Sequence, residues 1–127
     1  MPARNDVLLI DSDVTHRQAI EQPLVRAGYE VDAITHAEML AHVSREDMGR
    51  YAAIVVAQIN PDASVTSRSR AGENVVQYLA QFSPEVMTRV ILLTAEQRFG
   101  SGGQGYRVLA DADAESHLVT MIAAGRG

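Results

Sequence analysis

Hydrophobic and polar positions along the chain follow two periods, one typical of strands and one typical of helices. Short continuous apolar runs, such as VLLI at Val7–Ile10, are typical of strands that are covered on both faces of a sheet. The segments between the runs repeat their apolar residues at helical spacing. The predicted strands are Val7–Ile10, Tyr29–Ile34, Ile54–Ala57, Val90–Leu93 and Tyr106–Leu109. The predicted helices are Thr15–Ala27, a helix that opens at Thr35, Gly72–Phe82 and Asp113–Ala124.

This alternation predicts an α/β fold, a parallel five-stranded sheet with helices on both faces. Right-handed crossovers and the chain length favour a flavodoxin-like doubly wound sheet with strand order 2-1-3-4-5. Ligands of such folds bind outside the carboxyl ends of the strands. The junctions to inspect for chemistry are therefore residues 11–13, 57–61, 94–95 and 109–111.

Local signals set several helix ends. Thr35 and Glu38 have the spacing of a capping box, in which each residue satisfies a main-chain N–H of the other. Gly28 is a suitable stop for the first helix. Pro23 lies inside that helix and is expected to kink it or to end its first part.

Composition narrows the class of protein. The chain has 127 residues, which suits a single domain over 1–127, and its 46% hydrophobic and 21% charged residues are ordinary for a folded soluble protein. Cysteine is absent, which excludes disulfides and thiolate chemistry. The net charge of −5 and the lack of a long apolar run give no reason to expect nucleic acid or membrane as a partner. The expected location is the cytoplasm.

The strand-end junctions carry a family resemblance over nearly the whole chain. The segments "VLLIDSD", "IVVAQINP", "VILLTA" and "GYRVL" fall in order at the ends of predicted strands one, three, four and five. In this order they resemble the active-site junctions of response-regulator receiver domains, which are CheY-like. The resemblance implies an acid pair after strand one, an acceptor aspartate ending strand three, a Thr or Ser after strand four and a lysine after strand five.

The resemblance also implies the chemistry of that pocket. A phosphoryl group moves onto the acceptor carboxylate, Mg²⁺ held by oxygen ligands offsets the charge, and the lysine neutralises the phosphoryl group. The hydroxyl couples the modification to a change of shape.

Matched position by position, the pocket is degenerate. Asp11 matches the first acid, but Ser12 takes the place of the second acid. Ala57 takes the place of the acceptor, four residues before Pro61, and Leu109 takes the place of the lysine. These losses agree with one another, because a buried lysine without a nearby anion is costly.

Two matched positions are switch-like. Thr94 matches the hydroxyl, and Tyr106 matches the aromatic residue that moves inward on activation in the family.

Other acids offer a minor alternative. Asp11, Asp13 and Asp62 could gather a divalent cation, but Asp13 is better explained as a helix-start residue and Asp62 as a solvated turn residue. No metal, no Mg²⁺ and no other cofactor is expected.

Two loops depart from the family. Residues 62–71 form an extended polar loop in which Arg68 and Arg70 are candidates for contact with a partner. The Gly-rich stretch 96–105 is short, so the fourth helix is expected to be shortened or missing. Its "GSGGQG" motif precedes a strand and opens no helix, so it is interpreted as a connector rather than a dinucleotide site. The four histidines, His16, His36, His42 and His117, are expected at the surface or its boundary.

The leading hypothesis is a pseudo-receiver in a bacterial two-component-type system. It is not expected to be an enzyme, and it would act by contact with signalling proteins or with other domains of its own chain, with a homodimer also open. One alternative is an atypical phospho-acceptor that uses Asp11, Asp13 or Asp62. The other is a small-molecule-binding domain at the carboxyl ends of the strands.

Overall fold

The structure, a computed structural model, describes residues 6–39, 41–42, 48–58, 71–82, 84–94, 100–101, 106–110 and 113–125. The strands in these ranges are β1 (Asp6–Ile10), β2 (Glu30–Ile34), β3 (Tyr51–Ala57), β4 (Val90–Thr94), β5 (Gly100–Ser101) and β6 (Arg107–Ala110). The long helices are α1 (Val14–Arg26), α2 (Ala71–Phe82) and α3 (Ala114–Gly125). Short 3₁₀ helices at Met48–Arg50 and Pro84–Arg89 lead into β3 and β4.

The sheet has the order β2-β1-β3-β4-β6-β5. Its first five members pair in parallel. Since β6 is the fifth parallel strand along the chain, the order 2-1-3-4-5 and the flavodoxin-like fold class are confirmed.

The Gly-rich stretch contains a short strand that the sequence did not predict. Gly100 and Ser101 pair antiparallel with Val108 and Arg107 at the sheet edge. Strand pairing uses only main-chain groups, so glycine and serine can form it where no side chain needs to pack. In the described part of the chain no helix lies between β4 and β6, as a shortened or missing fourth helix requires.

The core has two layers, one on each face of the sheet. Side chains alternate along each strand, so Leu9 faces one layer and Leu8 the other. Leu118 and Ile122 of α3 are fully buried in the Leu9 layer, and each contributes roughly 1.5–3 kcal/mol through burial. This two-sided burial explains why the strands read as continuous apolar runs.

The ends of α1 follow their local signals. Asp13 is the N-cap, and its carboxylate accepts the His16 main-chain N–H at 3.2 Å. Gly28 has φ +95° and, with Tyr29, returns two main-chain hydrogen bonds to the last turn, at 3.0 and 3.1 Å. These bonds form a Schellman end, in which a left-handed glycine reverses the chain.

Pro23 does not end α1, which continues to Arg26. The proline lacks an N–H donor, but its carbonyl still accepts the N–H of Ala27 at 3.1 Å. Buried Ile20 and Leu24 hold the same helix against the core on both sides of the proline. Packing therefore outweighs the single lost hydrogen bond.

The capping box is present in both directions. The Thr35 main-chain N–H donates to the Glu38 carboxylate at 2.9 Å, and the Glu38 N–H donates to the Thr35 hydroxyl at 3.2 Å. The helical segment that follows is described only at residues 39 and 41–42.

Strand β3 begins at Tyr51, three residues before the predicted start, because Ala52 and Ala53 are buried in the sheet despite their weak strand preference. No helix within the described ranges is long and apolar enough to cross a membrane.

Candidate functional site

The sheet brings the predicted site positions to one edge. Ile10 is level with Val56, which places Asp11 beside Ala57 just past the end of β1. Ala57 is level with Leu93, and Leu93 is level with Leu109. Asp11, Ala57 and Leu109 therefore lie at the carboxyl edge of the sheet, at the ends of β1, β3 and β6, with β4 between the last two.

Asp11 is a fully buried carboxylate with two partners. One oxygen accepts the main-chain N–H of Asp13 at 3.0 Å, and the other pairs with Nδ1 of His16. The carboxylate of Asp13 caps α1 instead of facing Asp11. Among the described residues, no three His, Cys, Asp or Glu side chains are grouped to hold a metal ion. Asp62 lies outside those residues, so its predicted role stays a prediction.

His36 is the residue that the sequence prediction placed wrongly. It was expected at the surface or its boundary, yet it is only 8% exposed and lies beside Ser12 and Ala57 at the carboxyl edge of the sheet. Its Nε2 lies 2.8 Å from the Ala57 carbonyl oxygen, and its Nδ1 lies 2.7 Å from Oγ of Ser12. The main-chain N–H of His36 also donates to Ser12 Oγ, at 2.9 Å. The imidazole thus bridges the positions that match the second acid and the acceptor.

These contacts assign the tautomer of His36. A carbonyl oxygen only accepts hydrogen bonds, so Nε2 carries the proton that points to Ala57. In the neutral ring Nδ1 is then an acceptor, and the Ser12 hydroxyl donates to it. Every polar atom of the neutral ring has a partner in this arrangement.

The start of α2 closes the pocket from the other face of the sheet. The N–H of Gly72 donates to the Gln58 carbonyl at 2.9 Å, and the Gln58 side-chain amide donates to Glu73 at 3.4 Å. Gly72 has no room for a side chain, because a Cβ atom there would lie 2.6 Å from the Ala57 carbonyl oxygen.

The two residues that match the family's lysine and hydroxyl, Leu109 and Thr94, are buried. Leu109 is 4% exposed and packs in one apolar layer with Leu93 and Leu118. Thr94 is fully buried and level with Ala110. Tyr106 is partly buried against the opposite apolar layer. Arg68 and Arg70 of the predicted partner loop lie outside the described residues.

A second polar cluster lies away from this edge. The Tyr51 hydroxyl donates to Asp32 at 2.9 Å and accepts from Arg50 at 2.7 Å, while the Arg50 guanidinium lies 4.7 Å above the Tyr51 ring. His42 Nε2 lies 2.7 Å from the same hydroxyl. Burial, followed by the hydrogen bond to Asp32, holds the pKa of Tyr51 well above its usual value of 10.0.

Comparison with known proteins identifies the fold. No family model and no curated protein matches the sequence. Solved structures do match, and several of them are receiver domains. A sensor protein from Polaromonas sp. JS666 has TM-score 0.71 and 19% identity, over 97% of this chain and 96% of the other. A CheY-like response regulator receiver domain protein from Methanospirillum hungatei JF-1 has TM-score 0.60 and 18% identity, over 95% of each chain.

A complex of histidine kinase ThkA with response regulator protein TrrA also matches, with TM-score 0.63 and 18% identity, over 92% of this chain and 97% of the matched one. The chain has a receiver fold. At these identities the similarity concerns the fold alone.

Sequence reasoning missed His36 although a signal was available. The residue lies two positions after the end of predicted strand two, which neighbours strand one in a receiver fold, so a place near the carboxyl edge could have been expected. A second unused signal is that the chain contains no lysine at any position.

Proposed function

We propose that this chain is a pseudo-receiver, a signalling module of the bacterial two-component type that works by protein contact without being phosphorylated. The observation that carries the proposal is the composition of the pocket. Ala57 offers a methyl group where the resemblance requires a carboxylate, and Leu109 lies in an apolar layer where it requires a lysine.

The chemistry of phosphoryl transfer supports this proposal. Transfer to a carboxylate needs an accessible acceptor and positive charges that offset those of the phosphoryl oxygens. The fully buried Asp11 is already engaged through both of its oxygens. No lysine exists anywhere in the chain to take over the role lost at Leu109. We therefore expect neither phosphorylation nor a Mg²⁺ requirement, and no enzymatic activity.

The proposed partners are proteins. One structural neighbour comes from a complex between a histidine kinase and a response regulator, and this supports a protein partner for the fold. We propose docking of this kind, to a signalling protein, to other domains of its own chain or to a second copy, by one domain spanning 1–127 in the cytoplasm. Arg68 and Arg70 are the proposed contacts of the 62–71 loop.

Acetyl phosphate with Mg²⁺ tests the absence of phosphorylation. Intact-mass spectrometry is expected to show no added phosphoryl group on this chain, while a receiver that retains its acceptor aspartate, treated in parallel, gains one. A stable gain would overturn the proposal. Its loss in Asp62→Ala or Asp11→Asn would assign the atypical acceptor.

Partner binding tests the signalling role. If the receiver switch positions serve contact, Tyr106→Ala is expected to weaken binding to a captured kinase, regulator or second copy. Exposed His117→Ala is the matched control on α3. Unchanged affinity in Tyr106→Ala would remove this position from the interface. A thermal shift with metabolites but with no protein partner would favour the small-molecule alternative.

A further inference from the structure

One side chain joins the ends of three neighbouring strands. His36 follows β2, Ser12 follows β1 and Ala57 ends β3. The imidazole lies between the other two and contacts both. We call this arrangement of His36, Ser12 and the Ala57 carbonyl the imidazole clamp.

We propose that the imidazole clamp is a built-in contact that joins the ends of β1, β2 and β3 and holds the pocket closed in one arrangement. Nε2–H of His36 occupies the Ala57 carbonyl, and Nδ1 accepts the Ser12 hydroxyl. The ring thereby supplies the link between strand ends that a bound cation would otherwise supply. This role of the imidazole clamp rests on the proposed function, because a contact that keeps the pocket closed suits a domain that receives no phosphoryl group.

The clamp uses oxygens that a hard cation would need. Divalent cations such as Mg²⁺ bind carboxylate, carbonyl and hydroxyl oxygens. The imidazole engages the hydroxyl of Ser12 and the carbonyl of Ala57, while the remaining acid, Asp11, is engaged by His16 and by the Asp13 N–H. The ring is 8% exposed, so it fills this space rather than covering it from outside.

Removal of the imidazole leaves polar groups without the partners that the ring provides. Gly72 lies close to the Ala57 carbonyl, since a Cβ atom added to Gly72 would lie only 2.6 Å from the carbonyl oxygen. A buried carbonyl that loses its hydrogen bond destabilises the fold. The clamp is therefore expected to contribute hydrogen bonds as well as volume.

Chemical rescue separates these two contributions. His36→Ala is expected to lower the thermal unfolding midpoint by at least ~5 °C, on the scale of one or two buried hydrogen bonds. Imidazole added at about pH 8, where most of it is neutral, is expected to restore the midpoint in a saturable way. The compound 1-methylimidazole has no N–H donor and is expected not to restore it. Wild type and His117→Ala serve as controls that neither compound should stabilise.

The rescue experiment has clear contrary outcomes. Equal rescue by both compounds would mean that the ring only fills space, and absence of rescue in a folded His36→Ala variant would mean that no imidazole site exists. Either result overturns the clamp.

A measurement on the wild-type protein keeps the proposal testable if the variant does not fold. Nitrogen-15 NMR of the His36 ring at neutral pH is expected to show a protonated Nε2 and an unprotonated Nδ1. A ring protonated at Nδ1 alone, or a rapidly averaging ring, overturns the clamp. These results are independent of the acetyl phosphate test, so failure of the clamp and failure of the proposed function can be told apart.

Discussion

Gly72 at the start of α2 lies against the main chain at the end of β3. A Cβ atom on Gly72 would stand 2.6 Å from both the carbonyl oxygen of Ala57 and the Cα of Gln58, and 2.8 Å from a methyl group of Leu92. The helix can approach this closely because the residue has no side chain.

Gly72→Ala is expected to destabilise the protein by roughly 1–3 kcal/mol, since backbone atoms cannot move aside as a flexible side chain can. A loss of stability in Gly72→Ala would be informative, because alanine normally stabilises a helix relative to glycine by about 1 kcal/mol. Urea denaturation measures the effect through the unfolding midpoint.

Gly28→Ala is the comparison for Gly72→Ala. A Cβ atom at residue 28 would meet no atom within 4 Å, but Gly28 adopts φ +95°. The cost of Gly28→Ala therefore arises from backbone conformation alone. A stabilised Gly72→Ala variant would contradict the close approach.

The capping box gives a prediction about acid pH. Hydrogen bonds from the Thr35 main-chain N–H and then from its side chain lower the pKa of Glu38 below its usual value of 4.5. A lowered pKa adds stability above the unfolded-state pKa, and this stability is lost as the pH falls through the folded-state pKa.

NMR titration of the Glu38 carboxyl is expected to find this pKa below 4.5 in wild type and nearer to it in Thr35→Ala. Only part of the shift should disappear, because the main-chain bond does not need the Thr35 side chain. Loss of the cap should also cost about 1 kcal/mol of stability in Thr35→Ala. An unchanged Glu38 titration in the variant would exclude the side-chain contribution.

Tyr51 gives a prediction about alkaline pH. Its raised pKa means that the fold is stabilised below the unfolded-state pKa and loses this stability as the pH rises towards the folded-state pKa. Tyr51→Phe is therefore expected to lose less unfolding free energy above pH 10.0 than wild type does.

Ultraviolet titration of wild type minus that of Tyr51→Phe isolates the ionisation of Tyr51 among the four tyrosines, because the chain has no cysteine whose thiolate would absorb. Asp32→Asn should bring its pKa down only in part, since burial is the larger cause. Ionisation of all tyrosines together at the ordinary pH, without unfolding, would contradict the buried hydroxyl.

The apolar residues on either side of Leu93 predict coupling between Ala57 and Leu109. Both residues are level with Leu93, so they flank it on the same face of the sheet. Leu109→Lys is expected to cost roughly 3 kcal/mol or more, because it places an uncompensated charge in an apolar layer.

Ala57→Asp should offset part of the cost of Leu109→Lys. The double variant is expected to be more stable than the sum of the single effects by about 0.5–3 kcal/mol. Urea denaturation of wild type, the two single variants and the double variant completes the double-mutant cycle. Leu109→Met serves as the uncharged control. Strict additivity would show that the two positions do not share a pocket.

The sequence predicted the strands and most helix ends because those features depend on local signals, and the strand order followed from the rule that crossovers are right-handed. Continuous apolar runs mark buried strands, and the Thr35–Glu38 pair and Gly28 act within a single turn of chain. The continuation of α1 past Pro23 has a tertiary cause, since Ile20 and Leu24 anchor the helix on both sides of the proline.

The site was predicted only as far as the family resemblance reached. It directed attention to Asp11, Ala57, Thr94 and Leu109, and the structure brings these positions to one edge. His36 was missed because the alignment assigned no role to the end of β2, and a histidine considered in isolation is usually near the surface. Its burial depends on two partners from distant parts of the chain, Ser12 and Ala57.

In the imidazole clamp, the hydrogen-bond acceptor for the His36 ring is the main-chain carbonyl of residue 57, a group that every amino acid provides. The contact therefore places no demand on the side chain at that position, although it does require a histidine at 36 and a hydroxyl at 12. Among related sequences, residues 12 and 36 should change together, while residue 57 is limited only by the packing around its buried side chain. Under the proposed function, an aspartate at residue 57 would not be enough for phosphorylation while the His36 ring stays in contact with this strand end.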